Sequence, residues 1–277
     1  MMRTVGQVSG PSWMIVYNIQ AATCQARLLD FPSVSVEALV RRDRMVAAAG
    51  LAGITLLAWA WLVHVHGMDM GGGMGVFSPS LTFLMWAIMM MGMMVPSAAP
   101  MILVFATINR RRSETGGAAV ATGIFVAGYL VAWTAFSALA TAGQWGLERA
   151  AAVSPDMLRA TPFVGGLLLI VAGIYQVTPL KRACLARCQS PLGFVLNEWR
   201  EGAAGAFVMG LRHGAFCVGC CWLLMALLFV AGVMNLFWVA TIAAFVLAEK
   251  LVPLPVVSWG AGVVLVASGV WLLSRGL

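Results

Sequence analysis

Charge is scarce in this chain. Only 10% of the 277 residues are Asp, Glu, Lys or Arg, 61% are hydrophobic, and the mean hydropathy is +0.92. Soluble domains carry about a quarter charged residues, so this balance marks an integral membrane protein. Carboxylates are nearly absent from the apolar stretches, which excludes oxygen-rich sites for hard cations such as calcium or magnesium. Six cysteines in so apolar a chain do not make the disulfide framework of a short secreted domain. The sequence has no G-x-x-x-x-G-K-[ST], no G-x-S-x-G and no H-E-x-x-H, so nucleotide, phosphoryl-transfer and proteolytic chemistry have no support. Whether the chain is an enzyme stays open, with a non-enzymatic role favoured. The net charge of +7 is no nucleic-acid footprint, because the cations collect in short segments between apolar runs.

Seven apolar stretches are long enough to span a bilayer, at 45–64, 81–107, 118–142, 162–178, 204–231, 235–250 and 254–273. The fourth and sixth are short, which suits a re-entrant segment. With no water to satisfy backbone groups in lipid, the expected fold is all-α, a polytopic transmembrane helix bundle of about seven spans. Lys and Arg gather before the first stretch (Arg41, Arg42, Arg44), after the second (Arg110, Arg111, Arg112) and after the fourth (Lys181, Arg182, Arg187, Arg200). The alternate connections hold only Arg149 and Arg159. The positive-inside rule then puts the N-terminus and a basic loop at about 179–203 in the cytoplasm and the C-terminus outside. Residues 1–44 lack pattern and read as a flexible cytoplasmic tail, or as the product of a misplaced start ahead of Met14 or Met45. The helical domain is 45–273.

Soft ligands are what the chain has. Met209, His213, Cys217, Cys220 and Cys221 fall within thirteen residues of the fifth stretch, in M-G-L-R-H-G-A-F-C-V-G-C-C. At about 100° per residue they spread over only ~120° of a helix, so all five share one side. Polar groups on one side of a span face the bundle interior and mark a functional site by default, although buried cysteines also serve as small hydrophobes. In the second stretch Met85, Met89 and Met93 recur every four residues, a pattern that apolar packing alone also produces. Pro96 and Pro100 follow, each freeing a carbonyl one turn earlier, and Ser97 is placed to help re-satisfy the backbone. The first stretch runs into H-V-H-G-M-D-M-G-G-G-M, where His64, His66, Met68 and Met70 form an outer imidazole and thioether tract suited to copper. Cys184 and Cys188 stand one helical turn apart among cations, which favour the thiolate that binds metal or exchanges disulfides. Glu249 and Lys250 end the sixth stretch and read as an interfacial pair.

Three blocks together, M-W-A-I-M-M-M-G-M-M-V-P-S-A-A-P, G-I-Y-Q-V-T-P-L-K-R-A-C-L-A-R-C and M-G-L-R-H-G-A-F-C-V-G-C-C-W, resemble a bacterial family of predicted metal-binding integral membrane proteins. The resemblance covers roughly residues 45 to 273. It implies metal binding through Cys184, Cys188, His213, Cys217, Cys220 and Cys221 and a multi-pass protein of the inner membrane, and leaves metal and reaction open.

Thiolate and thioether ligands select Cu(I), so the leading expectation is a copper-handling membrane protein that transports or delivers the ion. Its ligands would exchange in depth order, from the outer tract through the methionines and the fifth stretch to Cys184 and Cys188. The expected partners are the lipid bilayer, the metal ion and a copper chaperone or metalloprotein, with no nucleic acid. Two other readings stay open. One is a membrane thiol–disulfide oxidoreductase exchanging Cys217 and Cys220 with Cys184 and Cys188. The other is a structural zinc site, for which Cys₃His is a suitable set.

Overall fold

A computed structural model describes residues 33–67, 79–112, 118–150, 153–154, 159–233 and 235–276. The chain divides into two compact units, Met1–Arg41 and Arg42–Leu277, and of the first only residues 33–41 are described. The expected tail therefore lies mostly outside the described residues, as do Cys24, Met68 and Met70. Its last part differs from expectation. Residues 33–44 are helical, since S-V-S-V-E-A-L-V-R-R-D-R holds no proline or glycine to stop a helix.

The described residues are almost all helical. In chain order the helices are α1 (Ser33–Gly67), α2 (Pro79–Arg112), α3 (Ala118–Arg149), α4 (Pro162–Gln176), α5 (Pro179–Gln189), α6 (Pro191–Asn197), α7 (Gly202–Ala226), α8 (Leu228–Ala231), α9 (Leu236–Leu251) and α10 (Pro255–Gly276). A two-residue ladder, Val153↔Ala160 and Ser154↔Arg159, precedes α4. The seven apolar stretches are largely helical, but among the described residues five helical segments are long and apolar enough to cross a membrane, or six if α4 and α5 count as one broken span. The difference lies in the two short stretches. Helix α4 ends at a 64° bend into α5, where Pro179 cannot continue the helix and Thr178 caps the new one, its hydroxyl accepting from Lys181 N–H. Helix α9 has sixteen residues, about 24 Å, short of the ~30 Å hydrocarbon core. The expected basic loop at 179–203 is instead largely α5 and α6, for the same reason: Thr-Pro and Ser-Pro each start a helix.

Close backbone approach builds the core. Helices α3 and α7 form the most extensive pair, and a Cβ added at Gly210 would stand 1.9 Å from Phe125 O, one at Gly128 2.2 Å from Phe207 O. Helices α4 and α10 meet the same way, Gly173 on Gly262 and Gly166 on Gly269. Gly128, Gly166 and Gly173 sit at such contacts, whereas Gly123 faces open space and Gly165 ordinary side-chain contact. Helix α2 runs unbroken through both prolines. The carbonyl that Pro96 frees, Gly92 O, accepts from Trp59 Nε1 of α1 at 3.1 Å, and Ser97 Oγ donates to Met94 O at 2.9 Å.

Because the atoms facing Gly210 are backbone and cannot step aside, Gly210→Ala is expected to cost about 1–3 kcal/mol or more. Gly123→Ala should cost almost nothing. Thermal unfolding of the two variants in the same detergent measures the contrast.

Candidate metal centre

The five candidate ligand residues of the fifth stretch are all buried on α7, in keeping with their helical spacing. Their centre is Cys217. Its sulfur lies 2.9 Å from Lys250 Nζ and 3.2 Å from the Tyr129 hydroxyl. The thiols of Cys188, Cys220 and Cys221 also reach it through side-chain contacts. Cys220 Sγ and Cys221 Sγ both donate to Cys217 O, at 3.1 and 3.0 Å, which folds the two side chains back toward the same point. Cys221 Sγ stands 4.0 Å from Met94 Sδ. Three elements thus bring sulfur to one place: α7, α5 through Cys188, and α2 through Met94.

Surrounding groups hold this cluster. Lys250 Nζ also donates to Ser97 Oγ at 2.7 Å. The Tyr129 hydroxyl has one proton and two neighbours, Met94 O at 2.9 Å and the Cys217 sulfur. Cys184 packs its sulfur on α7 at Gly219, beside the point where Tyr175 of α4 donates to Gly219 O. All five described cysteines are free thiols. One turn from Cys217, His213 lies between aromatic rings, stacked on Tyr129 and Phe125 and tilted against Phe194. Its Nδ1 is buried without a hydrogen-bond partner. Met209, one turn further, accepts the Arg200 backbone N–H on its sulfur at 3.3 Å.

The remaining candidates stand apart. Met85, Met89 and Met93 are buried in α2, yet the methionine that meets a cysteine is Met94, next to that stripe. His64 is exposed near the end of α1, and the side chain of His66 lies outside the described residues with Met68 and Met70. Among the described residues no three His, Cys, Asp or Glu side chains form a ready-made metal cage. The donor set nevertheless suits a soft ion, because sulfur predominates and a methionine completes it.

The expectation for Glu249 and Lys250 is corrected. Both are buried, at 3% and 6% exposure, and they do not pair with each other. Helix α9 ends inside the bundle, so these neighbours point in different directions. Lys250 reaches Cys217. Glu249 takes both carboxylate bonds from Lys181 Nζ at 2.8 Å, a third from Ser258 Oγ at 2.7 Å, and its backbone carbonyl accepts from Gln189 Nε2 at 2.7 Å. Lys181 also meets Gln176 Oε1. Lys181, placed by the sequence in a solvated loop, is 1% exposed. For Glu249 and Lys250 the available signal was that charged side chains within apolar stretches are functional or paired by default. Tyr129 and Met94 carried no local signal, because their roles arise from contacts between helices.

A family model described as PpoB2, copper chaperone, matches residues 83–272. The chain belongs to this copper chaperone family. The match begins within α2 and ends within α10, so it takes in every element that builds the sulfur cluster. No curated protein and no solved structure matches the chain significantly.

Removing one member of the Lys181–Glu249 pair strands a buried charge. Lys181→Met is therefore expected to destabilise the bundle by about 3–5 kcal/mol, and Glu249→Leu added to it to recover most of the loss. Denaturation midpoints of the single and double variants provide the check.

Proposed function

We propose that this chain is a multi-pass protein of the bacterial inner membrane that binds Cu(I) as cargo at the sulfur cluster around Cys217 and delivers it to another protein. The observation that carries the reading is the convergence of Cys188, Cys217, Cys220, Cys221 and Met94 from three helices on one buried point, in a chain whose family is that of copper chaperones. Copper(I) exchanges readily between two- and three-coordinate sulfur sets. A cluster with more sulfurs than such an ion needs, and no closed tetrahedral cage, suits passing the ion on better than holding it permanently.

The other candidates extend the route. Cys184 continues the sulfur chain beside Cys220, and His213 supplies a buried, unpartnered ring nitrogen one turn along α7. Met85, Met89 and Met93 lie in the N-terminal half of α2, toward the connection that holds Met68 and Met70, with His64 and His66 near the end of α1. Met209 is the terminal sulfur at the other end.

Orientation follows from the cations. Ion pairs gather Arg110 with Asp43, Arg112 with Glu201, and Arg187 and Arg212 with Glu198, and Arg112 also covers the Trp199 ring. One end of the bundle is therefore basic. By the positive-inside rule that end is cytoplasmic. The partners are the bilayer and an acceptor or donor copper protein.

Anaerobic loading of the detergent-purified protein with Cu(I), followed by metal analysis, tests the proposal. Wild type should retain stoichiometric copper, and Cys217→Ser combined with Cys221→Ser should lose it while eluting as the same folded species. A wild type that retains no Cu(I) would overturn the reading. Protein that unfolds when the metal is chelated would instead indicate a structural ion.

A further inference from the structure

The sulfur cluster contains one cation that, among the described residues, no carboxylate pairs. The Glu249 carboxylate is closed on Lys181 and Ser258, so it offers nothing to the cluster. Around Cys217 stand Tyr129 from α3, Cys188 from α5, and His213, Cys220 and Cys221 from α7, with Ser97 of α2 against Lys250 and Met94 of α2 against Cys221, none of them a carboxylate. The remaining group is Lys250, whose Nζ sits 2.9 Å from the Cys217 sulfur and 2.7 Å from Ser97 Oγ. Lys250 is itself buried, at 6% exposure.

Net charge is costly in such an interior, so a bound ion and its ligands must sum to neutrality with this ammonium. Two thiolates with a monovalent cation carry one negative charge, which Lys250 cancels. The same two thiolates with a divalent cation are already neutral, and the ammonium then stands unbalanced beside them. A divalent ion regains balance only by recruiting a third thiolate. Resting on the copper reading above, we propose that Lys250 is the specificity-determining residue of the sulfur centre: it admits soft monovalent ions such as Cu(I) and disfavours soft divalent ones. Copper keeps its oxidation state throughout. It arrives by ligand exchange from a sulfur donor, and each cysteine that becomes a ligand passes its proton to the departing donor ligand.

Softness alone does not give this discrimination, because Ag(I) and Cd(II) both seek thiolates and differ by one charge. Equilibrium competition of the two ions for the full-length purified protein reads the charge directly. Wild type should prefer Ag(I) over Cd(II) by a wider margin than Lys250→Met, with the ratio narrowing at least about 100-fold in the variant. Lys250→Arg, which keeps the charge, should hold most of the wild-type ratio. A Lys250→Met ratio within about threefold of wild type would sink the proposal while leaving copper binding intact. Should that variant not fold, wild type alone decides: Cd(II) bound as tightly as Ag(I) overturns the inference. A wild type that binds neither ion removes the copper reading and this inference together.

Discussion

An ammonium group beside a thiol in the middle of an apolar bundle organises much of what surrounds it. Lys250 cannot sit there without hydrogen-bond acceptors. Ser97 supplies one, and its own hydroxyl is fixed on Met94 O within a helix turn that Pro96 has relieved of a backbone donor. Cys217 supplies the other, and Tyr129 stands over both Met94 O and that sulfur. The tight α3–α7 contact at Gly128 and Gly210 sets how near Tyr129 comes to Cys217. A larger residue at either glycine would push apart the helices that hold the two.

Two helix ends inside the bundle make this placement possible. Helix α9 stops before a Val-Pro-Leu-Pro turn, and α4 breaks at Thr178-Pro179. At these ends the chain presents charged side chains that a continuous apolar span would not tolerate. The cations are treated differently. Lys181 is neutralised by Glu249 and serves to pin α5, α9 and α10 together. Lys250 is left facing sulfur. That division of labour separates the stability of the fold from the chemistry of the cluster.

The apolar runs, the one-sided stripe of α7 and the proline-freed carbonyl were all legible in the sequence, because each follows from local periodicity or from a missing backbone donor. Met209, His213, Cys217, Cys220 and Cys221 are buried together as their spacing requires. What local reasoning missed depends on contact between distant segments. Glu249 and Lys250 sit at the edge of an apolar stretch and look interfacial, yet the short α9 turns back inside. Lys181 sits among arginines and looks solvated. Its Thr-Pro helix start was readable, but the buried carboxylate opposite it was not. Met94 differs from the Met85, Met89 and Met93 stripe by a single position, and only the placement of α7 selects it.

The central claim is that sulfur from Cys217 and its neighbours forms the first shell of bound copper. X-ray absorption at the copper edge of the Cu(I)-loaded wild-type protein measures that shell directly. The account predicts a low-coordinate site of sulfur ligands alone, lost in the Cys217→Ser variant. A shell dominated by nitrogen or oxygen, or one unchanged in that variant, would contradict it.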